Sequence, residues 1–411
     1  MNGAPRAGGL DAPGPHVFLV AGEESGDRLG AALIAALRRH TQGAARFSGV
    51  GGAHMAGEGV ASLYPLGDLA MMGFAAIPAR LPKILGRIRQ TAEAVIAAKP
   101  DVLVIIDSPE FTHRVARRVR RRAPAIPIVD YVCPSVWAWR PGRARAMRAY
   151  VDHVLALLPF EPDVMQRLHG PPTTFVGHPL SEQVGELRPN PQEARRRLAD
   201  PPLLLVLPGS RSGEISRMAA IFGETVALLS RRAGPLEVVV PAVPRLAAAV
   251  AAAVAAWPVP AQVLTDAAEK HAAFRRARAA LTKSGTSTLE LALAGVPMAA
   301  AYKVPLIEEA IGRLLITAPS AILANLILGE NAVPEFLQRD CTAEKLSQAL
   351  KPLLSDTPER RRQLAAFARL DAVMAIGQAI PSERAAAVVL ACADRLNQSS
   401  PESMASSPRK A

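Results

Sequence analysis

Short apolar, β-branched runs alternate along the chain with longer segments in which apolar residues return every three or four positions. His16–Ala21 reads as a strand, and Gly26–Arg39 as a helix with Leu29, Leu33, Ile34 and Leu37 on one face. Arg46–Val50 follows, and the helical stretch Ile88–Ala98 leads into the fully apolar strand Val102–Ile106. Ile126–Val132, His153–Leu157 and Thr173–Val176 complete a first series. A polar, proline-bearing stretch, Glu186–Pro202, reads as a linker. A second series then runs through Leu203–Leu207, Leu236–Pro241, Gln262–Thr265, Ala279–Thr282 and Val296–Ala301. Continuous apolar strands separated by helices mean parallel sheets covered on both faces, so two doubly wound α/β halves are expected. Such halves take ligands at the carboxyl ends of their strands.

Two amphipathic helices, Pro358–Ala375 and Ser382–Leu396, close the pattern and are expected to join the first half. The expected divisions are a disordered start at 1–14, a first domain at 15–185 joined by 358–396, a second at 200–357, and a disordered tail at 397–411. A length of 411 residues agrees with two domains. Cys133, Cys341 and Cys392 lie far apart with no CxxC pair, which argues against a disulfide framework or a cysteine zinc site. The start of the chain lacks the order of a signal peptide, and no apolar window is long enough to span a bilayer. A cytoplasmic protein, or one lying on a membrane, is expected. The formal charge of +12 suits a polyanionic partner, whether nucleic acid, anionic lipid or a phosphorylated substrate, and equally suits an arginine-rich surface without one.

The strand ends hold the informative residues. After the first strand, Gly22-Glu23-Glu24-Ser25-Gly26-Asp27 crowds three acids, Glu23, Glu24 and Asp27, onto a turn where Ser25 can cap the next helix. This is neither a GxGxxG nor a Walker loop. Strand Val102–Ile106 delivers Asp107, placed to act as a general base on a hydroxyl or to cap the following helix. The arginines from Arg114 to Arg122 make a solvated basic face or a headgroup contact. Trp137 and Trp139, after the fourth strand, either pack the loop or meet a ligand. In the second half, Gly209-Ser210-Arg211 combines flexible backbone, a hydroxyl and a guanidinium ahead of a helix, which suits a diphosphate. Lys283-Ser284-Gly285-Thr286 repeats the theme, and Glu290 one turn later can accept from ribose hydroxyls. No HExxH, DxD or His/Asp/Glu cluster implies a metal, and no cofactor is implied. Met71–Arg87 interleaves large apolar residues with cations, as an interfacial or acyl-groove segment does, though a core helix looks similar.

Taken in order, these motifs resemble the lipid-A-disaccharide synthase family, inverting glycosyltransferases of lipid A biosynthesis. The resemblance runs from about His16 to Leu396. It rests on Gly22–Asp27, Gly49-Val50-Gly51-Gly52, Met72-Gly73-Phe74, Asp107–Phe111, Pro134–Arg140, Leu158–Glu161, Gly177-His178-Pro179, Leu207–Arg211 and Ser284-Gly285-Thr286. It implies a GT-B fold, two Rossmann-like domains facing a central cleft, the first holding the acceptor and the second UDP. The implied substrates are UDP-2,3-diacylglucosamine and 2,3-diacylglucosamine 1-phosphate (lipid X), joined β-1,6 with release of UDP.

By the same resemblance Asp107 is the base and Arg211 a catalytic diphosphate partner. Gly209, Ser210, Ser284, Gly285, Thr286, Glu290 and Asn325 belong to the nucleotide site, and Glu23, Ser25, Asp27, Met72, Phe74 and Trp137 to the acceptor and its acyl chains. Glu24, Thr112, Cys133 and Ala324 depart from the usual family residues. Peripheral association with the anionic inner-membrane surface is implied, and a homodimer is compatible. Other readings are a different GT-B sugar-nucleotide enzyme and a basic nucleic-acid binder. The sparse aromatics argue against nucleic acid as a partner.

Overall fold

The computed structural model describes residues 14–69, 77–305, 309, 318–376 and 379–399. The chain divides into two compact units, Met1–Pro179 with Ala379–Ala411, and Leu180–Gln378.

The first unit holds β1 (His16–Ala21), β2 (Arg46–Val50), β3 (Val102–Ile106), β4 (Ile128–Tyr131), β5 (His153–Ala156) and β6 (Thr173–Phe175). All pair in parallel, in the order β2-β1-β3-β4-β5-β6. Alternation along β1 sends Val17, Leu19 and Ala21 against Leu29, Leu33 and Leu37 of the helix Glu24–His40. Phe18 and Val20 face the opposite way, into a core with Leu103, Ile105, Val115 and Val119. Both faces of each strand are therefore buried, which is why the strands read as unbroken apolar runs. The final helix, Pro381–Ser399, lays Ala385, Ala386 and Val389 on the β1 core, and Arg384 donates to the Phe175 carbonyl.

The second unit holds β7 (Leu203–Leu207), β8 (Glu237–Pro241), β9 (Gln262–Leu264), β10 (Ala279–Lys283), β11 (Met298–Tyr302) and β12 (Glu335–Leu337). Their order is β12-β11-β10-β7-β8-β9, again parallel. Each sheet thus changes direction once, between β1 and β3 in the first unit and between β7 and β10 in the second. A crevice opens at the carboxyl ends of the strands on either side of such a reversal, because successive connections leave in opposite directions.

Three sequence expectations need correction. The helix Pro358–Val373 belongs to the second unit, where the Gln363 amide pairs with both the N–H and the carbonyl of Met298, at 2.8 and 3.0 Å. Only Pro381–Ser399 joins the first unit. The stretch read as a linker contains the helix Pro191–Arg197, closed by an Asn190–Glu193 capping box. Arg197 at its end is buried and donates to the carbonyls of Phe274, Arg275, Ala294 and Gly295, so the segment is fastened into the second unit. The short strand β12 was not expected. Among the described residues no helix is long and apolar enough to cross a membrane.

Candidate functional site

In the first unit, the loops after β1 and β3 flank the strand reversal and touch. A Cβ on Gly22 would stand 2.4 Å from the Cβ of Ser108, so only glycine allows this approach. Asp107 and Ser108 both have left-handed backbone, φ +53° and +46°. Such strain costs about 1–3 kcal/mol per residue and persists only where surroundings enforce it. Here the Thr112 hydroxyl bonds to the carbonyls of Asp107 (2.7 Å) and Ser108 (3.1 Å), and the Asp107 N–H donates to the Tyr131 carbonyl on β4. Thr112, a departure from the family pattern, is thus one of the residues that hold the turn. The Asp107 carboxylate accepts from the Ser25 hydroxyl at 2.8 Å and from the Ser108 N–H at 2.7 Å. Neither donor lies in the first turn of the helix Pro109–Arg122, so Asp107 is not the helix cap.

Ser25 is no cap either. Glu23 occupies the N-cap position without a side-chain bond, and it stays exposed beside Ser25. Asp27 departs furthest from expectation. It is 1% exposed and accepts the N–H groups of Gly52 (2.6 Å), His54 (2.9 Å) and Met55 (3.1 Å). It ties the Gly51-Gly52 turn to the first helix and offers no open carboxylate to a ligand.

Trp137 is half-buried. Its ring meets Phe160 edge-on at 5.4 Å, and its N–H donates to Glu161 at 3.2 Å. Glu161 also accepts the N–H groups of Leu157 and Leu158, and burial pushes its carboxyl up to about 7 against those bonds. The indole therefore packs against this loop. Trp139 lies under Arg140 and Arg143, both of which reach Glu110. Three of the six arginines of the basic helix are ion-paired, Arg114 with Glu110, Arg120 with Asp152 and Arg122 with Glu93. His178 is buried and pushed down to about 4 by desolvation, which keeps it neutral. Met72 and Phe74 lie outside the described residues.

In the second unit, the loops after β7 and β10 flank the other reversal, and Glu214 joins them. Gly209, at φ +134°, comes so close to Glu214 that a Cβ would stand 2.6 Å from it. The Glu214 carboxylate is 3% exposed and accepts the Ser210 N–H, the Arg211 guanidinium and the Lys283 ammonium, each at 3.0 Å. Burial pushes this carboxyl up, but Lys283, the Ser210 amide and Arg211 together hold it below the usual carboxylate range. Arg245 donates to the Ser210 carbonyl. Ser210, Arg211 and Thr286 are exposed and Gly285 half-exposed.

The remaining expected nucleotide residues are engaged internally. Ser284 is buried and donates to the Ala321 carbonyl. Glu290 pairs with Lys270 at 2.8 Å. Asn325 is 2% exposed and spends its amide on both backbone groups of Val333 and on Glu335. It fixes the 325–333 loop. Sequence reading placed Lys283 at the head of the second loop and gave neither it nor Glu214 a role of its own. The signal for them was an acid in the first helical turn after one loop, and a lysine closing an otherwise apolar strand before the other.

Against known proteins, the sequence profile of a family described as lipid-A-disaccharide synthetase matches residues 17–389. A lipid-A-disaccharide synthase from Nitrobacter hamburgensis is 63% identical over 375 residues, 91% of this chain and 95% of that protein. Among solved structures, Acinetobacter baumannii MurG superposes with a TM-score of 0.58 at 17% identity, covering 92% of this chain and 100% of that one. CalG4, the calicheamicin glycosyltransferase, gives 0.57 at 19% identity, covering 93% and 98%. At such identities the structures speak for the fold, two Rossmann-like units of GT-B type.

Proposed function

The chain belongs to the lipid-A-disaccharide synthase family, and from that membership we propose how its residues divide the glycosyl transfer that builds the lipid A disaccharide. The enzyme joins UDP-2,3-diacylglucosamine to lipid X through a β-1,6 linkage and releases UDP. The first unit takes the acceptor and the second the UDP-sugar.

Asp107 removes the proton of the acceptor 6-hydroxyl while that oxygen bonds the donor's anomeric carbon. The bond from that carbon to the diphosphate breaks, and its electron pair leaves on UDP. Attack opposite the leaving group inverts the α-linked donor to a β-product. The observation that carries this assignment is the carboxylate held at the reversal of the first sheet by a strained turn. Ser25 and the Ser108 amide orient its two oxygens, and the remaining lone pairs can accept a proton. A general base of this kind contributes about 10²–10⁴-fold. Arg211 and the amides of the loops after β7 and β10 meet the charge that grows on UDP. One preorganised donor of this kind contributes about 10²–10³-fold.

Asp27 and Asn325 drop out of the ligand contacts and hold the turns that carry them. Peripheral attachment to an anionic membrane is supported by the formal charge of +12 and by the helix Ile77–Ala98, which leaves Leu81 and Leu85, one turn apart, 42% and 49% exposed.

Incubation with both diacylated substrates, followed by mass detection, tests the transfer. A tetraacyl disaccharide 1-phosphate is expected. Turnover of unacylated UDP-N-acetylglucosamine, without product from the diacylated pair, would contradict it.

A further inference from the structure

We propose that Lys283 is a further catalytic residue, an ammonium that binds the donor's diphosphate and offsets the charge on the departing UDP. This rests on the reading above of the second unit as the donor half.

Arg211, the cation that the sequence pattern singles out, has a side chain 75% exposed, whereas that of Lys283 is 14% exposed. A charge in water is screened and mobile, while an enclosed one acts through a lower dielectric and needs no reorganisation when the reaction occurs. Lys283 is also fixed from two sides. Its Nζ is 3.0 Å from Glu214 Oε1 and lies over the Tyr302 ring, 4.6 Å from the centroid. Its location joins the two loops. Nζ sits 3.5 Å from where a Cβ on Gly285 would stand, so the ammonium faces the glycine of the second loop. Through Glu214 it is one carboxylate away from the Ser210 amide of the first. An ammonium carries three N–H donors, and the bond to Glu214 engages one of them.

The local charge points the same way. Arg211, Lys283, Arg217 and Arg245 approach the two loops, Arg217 with a guanidinium nitrogen 3.3 Å from the Cβ position of Gly213. Glu214 is the carboxylate these loops share, and it cannot neutralise four cations. Ending an apolar strand on a half-buried lysine is costly unless the charge has partners. Glu214 and the Tyr302 ring are two, and an incoming diphosphate can accept the N–H groups that Glu214 leaves. During transfer the electron pair of the breaking bond moves onto the phosphate oxygen. Lys283 answers that charge with its proton kept on nitrogen.

The test compares wild type, Lys283→Met, Lys283→Arg and the double variant Lys283→Met/Glu214→Gln, which leaves no unpaired buried carboxylate. Dissociation constants for UDP and for uridine, which lacks phosphate, are measured with turnover of the two acylated substrates. Lys283→Met and the double variant should bind UDP at least tenfold more weakly, keep uridine binding within twofold, and lose about 10²-fold in kcat. Lys283→Arg should recover most of both. UDP binding and kcat within twofold of wild type in Lys283→Met would overturn the proposal, as would equal weakening of UDP and uridine. A wild type that makes no disaccharide, while Lys283→Met still loses UDP selectively, would uphold the diphosphate contact and overturn the transfer reading alone.

Discussion

Replacing Asp27 by alanine separates a structural carboxylate from a ligand contact. The side chain takes three backbone N–H groups, from Gly52, His54 and Met55, in a setting 1% exposed. Each buried donor left without a partner costs about 1–3 kcal/mol. The helix that these amides open, Ala53–Gly57, is only five residues long and can relax toward water, so the sum falls at the low end, about 3–5 kcal/mol. For a unit of this size, each kcal/mol lowers Tm by about 2–4 °C, which gives a fall of about 6–20 °C. Asp27→Asn keeps one acceptor oxygen and should lose less. The assay is thermal unfolding followed by circular dichroism, alongside KM for the acceptor at a temperature where both variants remain folded. An unchanged Tm with a KM raised tenfold would refute the reasoning and return Asp27 to the acceptor.

Two further outcomes follow from the first unit. Burial raises the folded Glu161 carboxyl to about 7 from an ordinary 4.5. Its contribution to stability is therefore complete below pH 4.5, declines as pH rises to 7, and is level above that, a total near 3 kcal/mol at about 1.4 kcal/mol per pH unit. Urea unfolding between pH 5 and 8 should show wild type losing stability relative to Glu161→Gln as pH rises to 7, because the opposite rise from His178, held at about 4, is common to both. A difference between the two that does not change with pH would assign the decline elsewhere. Leu81→Ser/Leu85→Ser should lower partition onto phosphatidylglycerol vesicles by at least tenfold, since burying a leucine is worth about 1.5–3 kcal/mol. Unchanged partition would remove this helix from the membrane contact.

What the sequence discloses, and what it hides, follows from where the determining forces lie. Buried parallel strands must be apolar on both faces, so β1, β3 and β7 are legible to the residue. A parallel sheet also confines ligand chemistry to its strand ends, and that rule leads to Asp107, Gly209 and Arg211 before any coordinates. The three-residue edge strand β12 has too few positions to show a period. Asn190 and Pro191 carry the signals of a loop and equally those of a helix start, and the Glu193 that completes the capping box decides between them. Asp27 and Asn325, both expected at ligands, make internal hydrogen bonds instead of presenting open groups. For Asp27 the physical reason is that an acid near a strand end looks the same in sequence whether its partner is a ligand or a backbone amide far along the chain. The expectation for Asn325 comes from the family resemblance and not from any local pattern. Lys283 shows the converse, because the local pattern places it at the head of a loop while its pairing with Glu214, 69 positions away, shows only in the fold.

On the proposed division of labour, the carboxylate of Asp107 is the base of the transfer. Turnover of UDP-2,3-diacylglucosamine and lipid X by Asp107→Asn, with UDP affinity and Tm measured on the same sample, tests it most directly. The variant's kcat should be lower by about 10²–10⁴-fold with UDP affinity and Tm unchanged. Turnover within threefold of wild type would contradict it.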